Sequence, residues 1–170
     1  DENGNAVSPA YIWQDGCGNL PMEDGTTYAE YMKKAGGAAA SGFGLISHFY
    51  LQKNGMIPET AVKMSTISDY IGMKLCGRTE PVIAVDMAAS WGCFDLEKGD
   101  FYREELDKLG VDLTYLPEIL EKHEIMGHTE SGVPVMVSLG DNQASVLGSV
   151  NDLCGTVLLN IGTGSQISVG

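Results

Sequence analysis

A nearly continuous apolar run, Val133 to Leu139, stops at Gly140-Asp141-Asn142 and gives way to Ala144, Leu147 and Val150 at helical spacing. An apolar run of strand length, a polar break and a 3.6-residue period spell strand, turn, helix, which is the building unit of α/β sheets. Ligands of such sheets bind beyond the carboxyl ends of the strands, so a carboxylate at that turn stands where a substrate can be reached. Asp is also among the preferred N-cap residues. Residue chemistry alone therefore leaves Asp141 as either a catalytic carboxylate or a helix cap.

Past Asn151-Asp152, the stretch Val157-Leu158-Leu159-Asn160-Ile161 and the stretch Ile167-Ser168-Val169 flank Gly162-Thr163-Gly164-Ser165, the pattern of a hairpin with a Gly-rich turn. Glycine permits close approach and positive φ, so such a turn can aim backbone N–H groups at a phosphate, with hydroxyls as extra donors. An ordinary hairpin turn has the same composition. At the other end, Val7, Tyr11 and Trp13 alternate and run into Gln14-Asp15-Gly16-Cys17-Gly18-Asn19, an edge strand interrupted by Pro9 and ending in a loop. An aromatic face beside Gln14 and Asp15 suits a sugar, whose C–H faces are apolar and whose hydroxyls bond sideways, and equally suits a half-buried Trp with solvated neighbours.

Between these ends the pattern is mostly helical. Thr26 or Thr27 caps a short helix through Tyr28, Tyr31 and Met32 that stops at Gly36-Gly37. Phe43, Ile46, Phe49 and Tyr50 predict a second helix with one apolar face, ending at Asn54-Gly55. A third is expected from Pro58-Glu59 through Val62, Ile67, Tyr70, Ile71 and Leu75 to Gly77. Val82-Ile83-Ala84-Val85 suits a strand and Met87-Ala88-Ala89 a helix start, so Val82 to Phe94 is read as loop with room for a short strand, and Phe101 to Leu109 and Leu116 to Lys122 are predicted as short helices.

The chain has 170 residues and a formal net charge of −13. That length suits one domain with its own core. Ten basic residues do not supply the clustered Lys and Arg that counterion release from nucleic acid needs. Any phosphate site must use backbone donors, or groups from outside the chain. Cys17, Cys76, Cys93 and Cys154 form no C-x-x-C pair, and His48, His123 and His128 show no ligand spacing, so no protein-held metal is expected. Reduced thiols, the lack of an apolar run near 20 residues and the lack of a leader pattern predict a cytoplasmic protein away from membranes. No linker or repeat divides the chain, and Gly170 falls directly after a strand, so residues 1–170 are expected to form a single partial domain of something longer.

Taken in order, five segments resemble the FGGY carbohydrate kinases. Trp13-Gln14-Asp15-Gly16 is similar to the family's W-x-D-x-R sugar loop, Ser68 to Gly77 to its D-Y-x-x-x-x-L-T-G helix, and Asp86 to Ser90 to the segment that follows. Gly140-Asp141-Asn142-Gln143-Ala144 resembles the G-D-N/Q-x-A element holding the catalytic base, and Asn160 to Ser165 the second phosphate hairpin. The tone is closest to xylulokinase-like and sedoheptulokinase-like members. The resemblance implies an actin-like ATPase, ribonuclease H-like α/β fold, here part of the N-terminal domain of a two-domain sugar kinase. It further implies ATP and Mg²⁺ as cofactors, Asp141 as general base toward a hydroxyl of a ketose or polyol, Trp13, Gln14, Asp15 and Asn142 in the sugar pocket, and Gly162, Thr163 and Gly164 at phosphate.

The family's D-x-G-T hairpin and its C-terminal Gly-rich adenosine region are absent, and Cys17 stands where members often carry Arg. An internal fragment, inactive alone, follows as the expectation. Its partners would be the small-molecule sugar or polyol and the rest of the kinase chain, with a homodimer left open. A non-catalytic sugar-binding or regulatory remnant of the same fold is the alternative.

Overall fold

Thr27 starts the first helix. In the computed structural model, which describes residues 1–121, 124–162 and 165–169, its hydroxyl accepts from the Glu30 N–H while Glu30 accepts the Thr27 N–H, a reciprocal capping box that opens α1, Tyr28–Met32. One 3₁₀ turn, Lys33–Ala35, extends it to Gly36, whose φ of 109° ends it as expected. Helix α2, Gly44–Lys53, closes on Asn54, also as expected. Its predicted single apolar face is wrong: Leu45, Ile46, Ser47, His48 and Phe49 are all buried in succession. The reason is that neighbours crowd it from several sides. Tyr28 and Tyr31 pack on Phe49, Tyr115 lies on His48, and the Trp91 carbonyl accepts the Leu45 N–H.

The undecided stretch from Val82 contains both elements. It forms a fully buried strand β1, Val82–Ala84, and then a helix α4, Val85–Ala89. A two-residue ladder follows, β2 (Phe94–Asp95) with β3 (Asp100–Phe101), and then α5, Arg103–Lys108, inside the predicted helix and stopped before Gly110. The predicted helix at Leu116 to Lys122 gives way to β4, Glu118–Leu120, which follows a 3₁₀ turn, Leu113–Tyr115, and pairs parallel with β1; Lys122 lies outside the described residues. Pro117 explains the change, since it drives Leu116 to an extended φ, ψ of −69°, 134°.

Two further expectations fail. The segment Asn5 to Trp13 is not a strand: no described strand runs beside it, Pro9 has no N–H to offer, and the Ala6 N–H goes to the Tyr70 hydroxyl. The third helix, α3, is Ile67–Leu75 and not a longer helix from Pro58. Thr66 fixes its start by accepting the Asp69 N–H at 3.0 Å, while Lys63 and Met64 are drawn out to the carbonyls of residues 114 to 116.

The main core gathers Met32, Leu45, Ile46, Phe49, Ile83, Ala88, Cys93 and Leu106. A smaller cluster holds Val82, Ala84, Met126 and Val137, with Cys76, Leu120 and Val135 against it. It joins α3 to a hairpin of β5, Ile125–His128, and β6, Pro134–Met136, the shortened form of the apolar run that was expected to reach Leu139.

Contacts divide the chain into Asp1–Ser138 and Leu139–Gly170. The second unit holds α6, Asp141–Ser149, and an antiparallel hairpin of β7, Val157–Ile161, and β8, Ser165–Val169, in register from Val157↔Val169 to Ile161↔Ser165. Helix and hairpin thus stand where the sequence put them, while the strand expected to reach Leu139 is only β6, Pro134–Met136.

Candidate active site

The aromatic loop of the first unit is built on a glycine. Trp13 and Gln14 lie in a turn closed by the Asp15 N–H on the Ile12 carbonyl at 2.9 Å. Gly42, at φ 86°, backs directly onto the Trp13 carbonyl, so any side chain there would collide with it. Next to it, the Ser41 hydroxyl donates to the Asp15 carbonyl at 2.8 Å, and buried Gly18 lies against Ser41. The turn that leads into α2 therefore seats the loop. Trp13 is 78% exposed and Gln14 is exposed, with Asp15 half-buried and its Oδ1 accepting the Cys17 N–H at 2.8 Å.

Cys17 carries no cation in place of the family's Arg. Burial pushes its thiol above the ordinary value, and Asp15 adds to this against a Ser47 hydrogen bond, so the group stays neutral at pH 7. Whatever this loop holds, it holds without a guanidinium.

In the second unit, Asp141 is the first residue of α6, and the N-cap position belongs to Gly140, which offers no side-chain cap. The side-chain amide of Gln143 folds back over Gly140, where a Cβ would strike it. Asp141 and Asn142 are exposed, and Asp141 Oδ1 accepts the Asn142 N–H at 2.8 Å. An exposed carboxylate at the start of a helix is oriented by the backbone and still open to a ligand. The hairpin register Ile161↔Ser165 leaves positions 162 to 164 as the connection. Gly162 is exposed, whereas Thr163 and Gly164 lie outside the described residues. From Ile161 to Gln166 there is no acidic side chain, so the donor set of backbone N–H groups and hydroxyls suits an anion.

His48 is packed, one of the two placements read for it from the sequence. His48, read as a packed or exposed bystander, sits 6% exposed in α2 with its ring 5.0 Å from Tyr115, and its Nε2 has no hydrogen-bond partner among the described residues. Burial lowers its pKa to about 4, against an opposing pull from Asp112. It borders a mostly apolar cavity of about 740 Å³ shared by Trp13, Phe43, Ser47, Met64, Tyr70 and Trp91. His128 is exposed at the end of β5, and His123 lies outside the described residues. Among the described residues no helix is long and apolar enough to cross a membrane, and no group of three His, Cys, Asp or Glu is placed to hold a metal.

The FGGY family of carbohydrate kinases, N-terminal domain, matches residues 1–148. Sedoheptulokinase of Mus musculus is 33% identical over 179 residues, covering 96% of this chain and 35% of the relative. The chain thus spans about a third of the length of that relative. Among solved structures, gluconate kinase from Lactobacillus acidophilus superposes with a TM-score of 0.63 at 21% identity, over 82% of this chain and 30% of that one. Plasmodium falciparum glycerol kinase with ADP does so with a TM-score of 0.57 at 16% identity, over 74% and 27%. The mixed helix and sheet arrangement is that of the actin-like N-terminal domain these kinases share, and the chain belongs to the FGGY family of carbohydrate kinases.

Proposed function

We propose that these residues are part of an ATP-dependent sugar kinase that phosphorylates a hydroxyl of a ketose or related polyol. The observation that carries this reading is Asp141: an exposed carboxylate at the first position of α6, inside the one segment that matches the family's catalytic element. Asp141 takes the proton from the attacking hydroxyl as the oxygen closes on phosphorus. Trp13 offers a flat apolar ring to the C–H face of the sugar, and Gln14, Asp15 and Asn142 offer hydrogen bonds to its hydroxyls. Gly162, Thr163 and Gly164 direct backbone N–H groups at phosphate, which their acid-free composition suits. ATP with Mg²⁺ supplies the γ-phosphoryl group and the positive charge that offsets negative charge in the transfer.

The glycerol kinase relative solved with ADP supports nucleotide use by the same fold. A chain spanning 35% of a sedoheptulokinase lacks most of what that relative uses, so the 170 residues alone transfer nothing, and the rest of the kinase chain is their first partner. The same reading places the enzyme in the cytoplasm, where its four free thiols remain reduced. The test is a coupled assay of the full-length kinase with ATP and a panel of ketoses and polyols, comparing wild type with Asp141→Asn. The amide keeps an oxygen for the Asn142 N–H but cannot take a proton, so turnover should collapse while the protein stays folded. Undiminished turnover in the variant would return Asp141 to the role of a helix start.

A further inference from the structure

Asp69 is 1% exposed, which is unusual for a carboxyl group and calls for partners. It has them. Its Oδ2 accepts the Thr66 hydroxyl at 2.7 Å, and its Oδ1 accepts the Ser138 backbone N–H at 3.1 Å, 69 residues along the chain. Thr66 in turn accepts the Asp69 N–H, so the side chain is locked to the first turn of α3 before it reaches out to Ser138.

The rest of the α3 face facing the β5–β6 hairpin is shaped for the same contact. At Gly72 a Cβ would meet Met126 Sδ at 2.8 Å, and at Gly127 one would meet the Cys76 Cβ at the same distance. Helix and hairpin approach so closely that a side chain at Gly127 would press on the Cys76 Cβ, and one at Gly72 would have to push the Met126 thioether aside. Asp69, Gly72, Met73 and Cys76 follow the spacing of one helix face, and they are the inward-facing ones, whereas Ile67, Ile71 and Leu75 point outward and are more than half exposed. A helix that buries its carboxyl group and its glycine while leaving three aliphatic side chains outside has been arranged around the hairpin. Where that hairpin ends matters: Val137 is buried and donates its N–H to the Glu124 carbonyl, Ser138 is held by Asp69, and Asp141 follows three residues later.

We propose that Asp69 is a positioning residue for Asp141, holding the chain at Ser138 so that the turn to the catalytic carboxylate starts from a fixed point. The idea rests on the kinase reading above. Three residues span at most about 10 Å, so the anchor limits where the carboxylate can go, and errors of about 1 Å in a reacting group can lower turnover by about 10²-fold. Asp69 touches no substrate and transfers no proton. It also gives a physical reason for two separate family segments to occur together, since one holds the strand that leads to the other.

The test uses the full-length kinase with Asp69→Ala and Asp69→Asn, measuring kcat and KM for the sugar per folded protein, with hydrogen exchange at the Ser138 amide. Asp69→Ala should lower kcat by about 10- to 100-fold with little change in KM, and the Ser138 amide should exchange faster. Asp69→Asn keeps an acceptor for Ser138 and a partner for Thr66, so it should restore kcat to within about threefold of wild type, taking a neutral hydrogen bond as a modest loss. If Asp69→Ala does not fold, Asp69→Ser, whose hydroxyl is too short to reach Ser138, takes its place with the same expected split. A kcat equal to wild type in the Ala or Ser variant, or an Asn variant as slow as the Ala one, overturns the inference. A wild-type kinase with no transfer at all overturns the kinase reading and this inference together, whereas dependence on Asp141 with indifference to Asp69 overturns this one alone.

Discussion

Residues 1–138 and residues 139–170 differ most in what lies inside them. The first unit encloses Met32, Leu45, Ile46, Phe49, Ile83, Cys93 and Leu106 at essentially zero exposure. The second contains no buried residue among those described, and Val157, Leu159, Ile161, Ile167 and Val169 lie open along its hairpin. The register puts these five on one face, opposite Leu158, Asn160, Gln166 and Ser168. A hairpin with one apolar face and nothing on it is marginal by itself. Yet Asp141, Asn142 and Gly162 all belong to this unit. The part that carries the proposed chemistry has no buried residue among those described, and the part with the core carries the aromatic loop.

The comparison breaks first at Asp141. In the full-length kinase Asp141→Ala should lower kcat by the order of 10²- to 10⁴-fold in a coupled assay while the melting temperature stays near that of wild type. A large drop in melting temperature instead would mean that this exposed residue supports the fold. The converse substitution is Phe49→Ala in the core, which should destabilise the 170-residue chain by about 3–5 kcal/mol in urea unfolding. A small change there would mean that the first unit is not held by the cluster around α2.

His48 sharpens the contrast through pH. Its folded pKa of about 4 lies below the unfolded value near 6.5, so the unfolded state binds the proton first. The stability due to neutral His48 is complete above about pH 6.5 and is lost as pH falls toward 4, amounting to about 3 kcal/mol across the window. Asp24, Glu30, Asp100 and Asp112, all with lowered pKa, lose their own contributions at the acid end, so the histidine is read best between about pH 6.5 and 5. His48→Leu should flatten the stability curve there, and an unchanged slope would remove His48 as its source. The smallest effect belongs to the hairpin: in the isolated chain, Leu159→Ala should change stability by less than about 0.5 kcal/mol. Hydrogen exchange should show β7 and β8 unprotected beside a protected α2. Protection of the hairpin in the isolated chain would show that its apolar face is covered.

Much of this was legible because the signals were local. Thr27 before α1, Asn54 after α2, Gly110 after α5 and the Gly-Asp break at the start of α6 each act within a turn of chain, and each stands where it was read. What failed depended on neighbours far away in sequence. Asn5 to Trp13 alternates like a strand but has no strand beside it, Pro117 turned a helical spacing into β4, and the burial of α2 on several sides comes from Tyr28, Trp91 and Tyr115. For the candidate site, local patterns raised Trp13, Asp141 and the Gly-rich turn with two readings each, and the resemblance of the ordered segments chose between them. Neither gave a hint that Asp69 grips Ser138, because a hydrogen bond across 69 residues leaves no trace in local spacing.

The seating of Trp13 on Gly42 has a practical side. The chain has two tryptophans, and the structure places them in opposite surroundings, Trp13 at 78% exposure and Trp91 at 6%. Their fluorescence should therefore separate, with a red-shifted, iodide-quenchable component from the loop and a blue, shielded one from the core. Titrating a sugar while watching the quenchable component tests whether the aromatic loop takes it up, and the shielded component of Trp91, which borders the same cavity, tests whether the ligand reaches further in.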